Sequence, residues 1–227
     1  MTGLDLTLTQ TSLSVQDGLG LRTIFSTDGL HVPAGTLTAV RGASGAGKST
    51  FLKLISGILL PTRGEISWGE TVLTSLSEAR RDAWRGTHVG FLFQDFRLFD
   101  GLTAIENVLL PFTFRERITP ELKERASSLL EAQGVRPDTA SENLSRGEMQ
   151  RTALVRVLMR SPAVILADEP TASLDAVRAA QAADALIEAA GTLGATLILV
   201  SHDERILSRF SRTLELQNGI LTERAAQ

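Results

Sequence analysis

Residues 42–50 read GASGAGKST, and the segments on either side of them leave few folds open. Leu37 to Val40 form a short apolar strand before the run. After it Phe51, Leu52, Leu54, Ile55 and Ile58 recur at helical spacing, and Pro61 is the expected stop. A strand passing through a glycine-rich turn into a helix fits G-x-x-x-x-G-K-[ST], a loop whose main-chain amides wrap a polyphosphate. Gly42, Gly45 and Gly47 admit the close backbone approach, Ala43, Ser44 and Ala46 complete the loop, and a helix start near Gly47 adds a favourable dipole. Lys48 is expected along the β- and γ-phosphates, the Ser49 hydroxyl on Mg²⁺, and Thr50 beside a phosphate. The alternative is an ordinary glycine-rich turn with an incidental lysine, and the flanking strand and helix argue against it.

Two later runs, Ala163 to Ala167 and Leu197 to Val200, are apolar on both faces, as strands inside a parallel sheet must be. Ala176 to Ala190, rich in good helix formers, supplies the helix between them. Asp168 and Glu169 stand at the carboxyl end of the first run, where open α/β sheets bind ligands. Acids at a buried strand's tip are costly unless they serve something. Asp168 suits Mg²⁺, directly or through water, and Glu169 suits a general base that orients and deprotonates the attacking water. A pair of solvated acids ending a strand is the plain alternative, weakened by a phosphate loop that needs a metal ligand.

Other signals complete the organisation. Leu4, Leu6 and Leu8, then Leu13 and Val15, alternate with polar residues as half-buried antiparallel strands do, and Val89, Phe91 and Phe93 lead a strand into Gln94. From there to Pro162 the pattern is mostly helical, with Thr119-Pro120 as a cap and first-turn proline and Gly134 as a helix end. Asn218-Gly219 between apolar pairs predicts a hairpin. The domain reading is one α/β unit over 1–227, with a core at about 1–94 and 162–227 and a helical subdomain at about 95–161. A net charge of -3 gives no basic bias toward nucleic acid, so none is expected as a partner. No cysteine is present, which fits a reducing compartment, and no run of about 18 apolar residues or basic-then-apolar leader predicts membrane insertion or export.

Residues 144–151, LSRGEMQR, allow two readings. Ser145 and Glu148 form an S-x-x-E capping box ahead of an amphipathic helix through Ala153, Leu154, Val157 and Leu158. The octet is also closely similar to the signature of the ATP-binding cassette (ABC) family, and it stands shortly before Asp168-Glu169 as that signature does. The chain resembles the family again at Gln94, at Ala172-Ser173-Leu174-Asp175 and at Ser201-His202-Asp203. The resemblance covers nearly the whole chain. It implies a P-loop NTPase fold: a RecA-like, mostly parallel core sheet with an N-terminal antiparallel β subdomain and a helical subdomain. It implies ATP as substrate with Mg²⁺, and a head-to-tail dimer with ATP held between two copies. In that pattern Gln94 meets the metal and the attacking water, and Ser145 and Gly147 reach the γ-phosphate bound by the other copy. Asp175 couples the two sites, and His202 contacts the γ-phosphate. An integral membrane permease subunit is the implied partner, which would hold the chain on the cytoplasmic face of the membrane.

The stretch from Phe96 to Val108 is similar to the lipoprotein-releasing, macrolide-export and cell-division subgroup, implying export or release. Phe91, Phe93, Phe96, Phe99, Phe112 and Phe114 crowd this region, either as a socket for a helix of the membrane subunit or as the helical subdomain's own core. Two features depart from the family. Arg146 stands where glycine is usual, adding charge near a phosphate or crowding the dimer interface. No aromatic residue precedes Phe25, which by its spacing belongs to the core, so Arg22 or a leucine is left to meet the adenine and weak base preference is expected. His31 and His88 are read as structural. The alternatives are an ATP-driven force transmitter without solute transport, a soluble non-transport ABC ATPase, whose usual coiled-coil insertion or second cassette does not fit in 227 residues, and a small-molecule kinase, for which LSRGEMQR and His202 have no task.

Overall fold

Among the described residues ten strands hydrogen-bond into one sheet, and their order explains how the site is assembled. The computed structural model describes residues 2–18, 20–114, 117–172 and 174–223. The strands are β1 (Leu6–Asp17), β2 (Gly20–Val32), β3 (Leu37–Arg41), β4 (Arg63–Trp68), β5 (Thr71–Val72), β6 (Val89–Leu92), β7 (Val164–Asp168), β8 (Thr196–Ser201), β9 (Arg212–Gln217) and β10 (Ile220–Glu223). Their order is β5-β4-β1-β2-β10-β9-β3-β8-β7-β6. From β9 to β6 every neighbouring pair is parallel, whereas β1, β2, β4 and β5 pair antiparallel. The expected division into a parallel core and an antiparallel N-terminal part holds, and the two halves are continuous through β10.

Local chemistry accounts for the elements. In β1, Leu6 and Leu8 are buried, but Gln10 takes φ 44° and the register shifts against β4, so the inward set becomes Thr11 and Leu13. That slip is the reason the leucines change from even to odd positions. β7 and β8 are apolar on both faces because helices cover them: α1 (Lys48–Ile55) on one side, α5 (Arg146–Leu158) and α6 (Ala176–Leu193) on the other. Helix α1 ends earlier than expected. Ser56 is its C-cap and Gly57 turns left-handed at φ 69°, so Ile58 and Pro61 lie beyond the helix. Asn218 (φ 51°) and Gly219 (φ 80°) make the predicted hairpin.

No element is predicted from sequence between Pro61 and Val89, yet β4, β5 and α2 (Glu78–His88) lie there; α2 buries only Trp84 and so lacks an apolar stripe. The insertion after β6 contains α3 (Ala104–Thr113), α4 (Pro120–Ala132) and α5, followed by β7, and a short α7 (Glu204–Leu207) follows β8. Thr119 caps α4 and Gly134 turns left-handed after it, as expected. Helix α5 has two buried flanks. Ala153, Leu154 and Val157 join the sheet's core, while Val155 and Met159 join the cluster of α3 and α4.

Candidate functional site

The loop from β3 to α1 is shaped by two constraints. A Cβ on Gly42 would stand 2.6 Å from the Leu216 carbonyl oxygen, and Gly47 caps α1 at φ 101° with no side chain bonded to the helix start. Only glycine meets both, and the first amides of α1 are left for an anion. The Lys48 ammonium folds back into this loop and donates to the carbonyls of Gly42 (2.8 Å) and Ala43 (3.0 Å). It also pairs with Glu169 Oε1 at 2.9 Å. The other oxygen of Glu169 meets His202 Nδ1 at 2.5 Å, so the carboxylate bridges lysine and histidine.

Glu169 is aimed by its backbone. It follows β7 directly, takes φ 44°, and donates its amide to the Val200 carbonyl at 3.0 Å. A non-glycine residue in the left-handed region is uncommon and collects at functional sites. Asp168 precedes it with a different surrounding. Burial pushes its carboxyl above the usual carboxylate range and the Glu169 charge adds to this, while a hydrogen bond with Ser49 opposes the rise. Asp168 Oδ1 is buried and has no hydrogen-bond partner among the described residues.

Ser49, Lys53, Gln94, Arg146 and Asp168 line one cleft of about 640 Å³ between the sheet and the helical insertion. The three residues expected to hold the metal therefore face a common space. A hydroxyl, an amide and a carboxylate with a bare buried oxygen are the hard oxygen donors Mg²⁺ takes, with water filling its remaining positions. The residues fit the ion. Lys53 is not among the sequence candidates; its signal is position, four residues after Ser49 on one helical face.

Other candidates have local partners of their own. Ser145 caps α5: it accepts from the Glu148 amide at 3.4 Å and donates to Glu148 Oε2 at 2.6 Å, and Glu148 in return accepts the Ser145 amide at 2.9 Å. These bonds hold the Glu148 carboxyl below its ordinary value. Gly147 lines a separate cleft with Leu92 and Gln150, and Asp175 caps α6 by accepting from the Arg178 amide at 3.0 Å. Ser173 lies outside the described residues. His88 stacks on Trp84, and His31 approaches the Thr7 hydroxyl at 3.2 Å, so both have structural settings. Phe25 is fully buried and stacks on Phe51 at 5.6 Å, as its spacing suggests.

The phenylalanine cluster divides. Phe96 is 3% exposed and Phe112 is buried, which removes both from any socket. Phe99 (58% exposed) and Phe114 (80%) border an open cleft of about 510 Å³ together with Phe91 and Phe93. Asn107, wholly buried, donates to the Phe99 carbonyl and accepts its amide at 2.7 Å, so an exposed ring stands on a pinned backbone. Among the described residues no helix is long and apolar enough to cross a membrane.

A family model described as ABC transporter matches residues 26–172. The lipoprotein-releasing system ATP-binding protein LolD of Legionella pneumophila (strain Paris) is 35% identical over 97% of this chain and 99% of its own length. That of Psychrobacter arcticus is 39% identical over 84% and 85%. Among solved structures, a dimeric post-hydrolysis state of the ATP-binding cassette MJ0796 bound to ADP and Pi superposes with a TM-score of 0.88 at 29% identity, covering 98% of this chain and 99% of that one. The cbiO1 protein of Clostridium perfringens, described as part of the ABC transporter complex cbiONQ, gives 0.84 at 26% identity, covering 97% and 88%.

Proposed function

Since the chain belongs to the ABC transporter family and is an ATP hydrolase of that family, we propose that it works as one of two copies closed head-to-tail around two Mg·ATP, driving a separate membrane subunit. The observation that carries the reading is the chain of contacts from Lys48 through Glu169 to His202. In it the ammonium that should grip phosphate is occupied by the carboxylate that should take a proton. The β- and γ-phosphates of ATP carry more negative charge than one carboxylate, and the amides of the 42–47 loop bind them too, so nucleotide draws Lys48 off Glu169. Glu169 Oε1 is then free to accept a proton from water, with Oε2 still held by His202. The water oxygen forms its bond to the γ-phosphorus as the bond to the β–γ bridging oxygen breaks, giving ADP and phosphate. Ser49, Asp168 and Gln94 would hold magnesium, which would neutralise charge on the phosphate oxygens.

Ser145, Gly147 and Asp175 do their work on the second copy. Within one chain Ser145 and Asp175 serve as helix caps and Gly147 lines a different cleft from Ser49 and Asp168, and the similar MJ0796 cassette is dimeric with ADP and Pi. Closure on ATP and reopening after its loss give two states that a partner can follow. The partner is an integral membrane permease subunit seated on Phe99 and Phe114, with this chain held on the cytoplasmic face through it. The core comprises about 1–94 and 162–227, and the helical subdomain about 95–161. Relatives named for lipoprotein release support cargo release or export as the task.

Glu169→Gln tests the reading. Hydrolysis should fall by about 10²-fold or more, and saturating Mg·ATP should convert the monomer into a stable dimer, visible by light scattering. A variant that stays monomeric with ATP, or turns over at the parental rate, would remove the sandwich mechanism.

A further inference from the structure

The turn at residues 94–97 stands between the Asp168 cleft and the phenylalanine-bordered one, and Phe91, Phe93 and Arg97 line both. Two successive residues in it, Phe96 at φ 58° and Arg97 at φ 46°, are left-handed although neither is glycine. Side chains crowd the backbone at such angles, so the pair persists only where its surroundings hold it. The Phe96 ring is buried in the sheet's core cluster with Ala153, Leu154 and Val157. The Arg97 side chain lies over the Phe93 ring at 4.6 Å and pairs with Asp95 at 3.4 Å.

The backbone itself is gripped from α5. The Arg156 guanidinium donates to the Phe96 carbonyl at 2.5 Å and to the Arg97 carbonyl at 2.6 Å. Burial pulls this guanidinium down to about 10, with nearby Asp95 favouring its charge, so it remains a cation at neutral pH. Its two bonds are therefore charge-assisted, and a planar fork is needed to span two adjacent carbonyls; an ammonium is a single point. Two residues before Phe96 is Gln94, and eleven before Arg156 is Ser145.

We propose that Arg156 is a positioning residue for Gln94, holding the 94–97 turn in its left-handed form and thereby tying Gln94 to the helix that begins at the signature. The assignment rests on the reading of Gln94 as the group that meets metal and attacking water. Binding by Lys48 and the 42–47 loop does not depend on the turn, so the effect belongs to turnover rather than nucleotide affinity.

The test is a cycle of Arg156→Met, Arg97→Gly and the double variant, with Gln94→Ala alongside. Arg156→Met should lower kcat about tenfold or more with KM for Mg·ATP within about threefold of the parent. Glycine at position 97 accepts the left-handed angle unaided, so in that background the same change should cost less than about threefold. Equal losses in both backgrounds would mark Arg156 as bulk packing and overturn the assignment, as would a loss confined to KM. If Gln94→Ala is impaired while Arg156→Met turns over within about twofold of the parent, the assignment alone falls. If Gln94→Ala keeps full turnover, the reading of Gln94 falls and takes the assignment with it. Should Arg156→Met fail to fold, Arg156→Lys, which keeps the charge but grips one carbonyl, is carried through the same cycle.

Discussion

Asp168 carries a buried carboxylate oxygen with no partner among the described residues, and its charge sits beside that of Glu169. Such a group costs the metal-free protein stability, because burial disfavours its ionised form. Asp168→Asn should therefore raise the metal-free unfolding temperature at pH 7 by about 2–4 °C while reducing hydrolysis by about 10²-fold or more, as calorimetry and a phosphate-release assay would measure. An unchanged or lower melting temperature would mean that the oxygen is satisfied in solution. At this scale the identities of Lys48, Asp168 and Glu169 were legible because a loop motif and a strand end fix their places along the chain. Their mutual contacts were not, since Glu169 reaches Lys48 only through a backbone angle that no residue preference announces. The split between buried Phe96 and exposed Phe99 was hidden for the same reason: strand alternation does not extend through two left-handed residues.

Among the elements, α5 carries a capping box at its first turn. The reciprocal bonds of Ser145 and Glu148 satisfy amides that the helix cannot, and Ser145→Ala should cost about 1 kcal/mol, read by chemical denaturation at pH 7. The Glu148 carboxyl is held below its ordinary value, chiefly by the Ser145 hydroxyl and amide, so its contribution is complete above that value and is lost as pH falls through the lowered one. The gap between variant and parent should accordingly narrow in acid; a gap that stays constant would leave Glu148 out of the cap. Ser145→Ala combined with Glu169→Gln separates the two roles of the serine, since capping alone leaves the ATP-dependent dimer intact. Caps and turns read well from sequence here, as Thr119-Pro120, Ser145 with Glu148 and Asn218-Gly219 all show, because each is a local device with its own chemistry. Helix α2 did not, having one buried side chain and no apolar period. The end of α1 was misplaced because Gly57 stops the helix before Pro61 can.

In the whole molecule, Phe99 and Phe114 expose their rings beside one cleft, the former from a backbone fixed by Asn107 and Ser141. Aromatic anchors on rigid supports dominate interfaces, so Phe99→Ala with Phe114→Ala should abolish co-purification with the membrane subunit and leave Mg·ATP affinity within about twofold, measured by nucleotide titration. Retained assembly would move the docking surface elsewhere.

The pairing of β6 beside β7 has a further consequence. Parallel neighbours can be joined only by a connection that travels back along the sheet, and α5 is the segment that makes the return. A segment that must arrive at the foot of β7 has to set out from its head, which is where Asp168 and Glu169 stand. The end of α5 bearing Ser145 is thus obliged by connectivity to share a rim with the acids, whatever α3 and α4 do. Lengthening, shortening or reshaping those two helices can alter what the protein docks with, but it cannot carry the signature to the opposite rim.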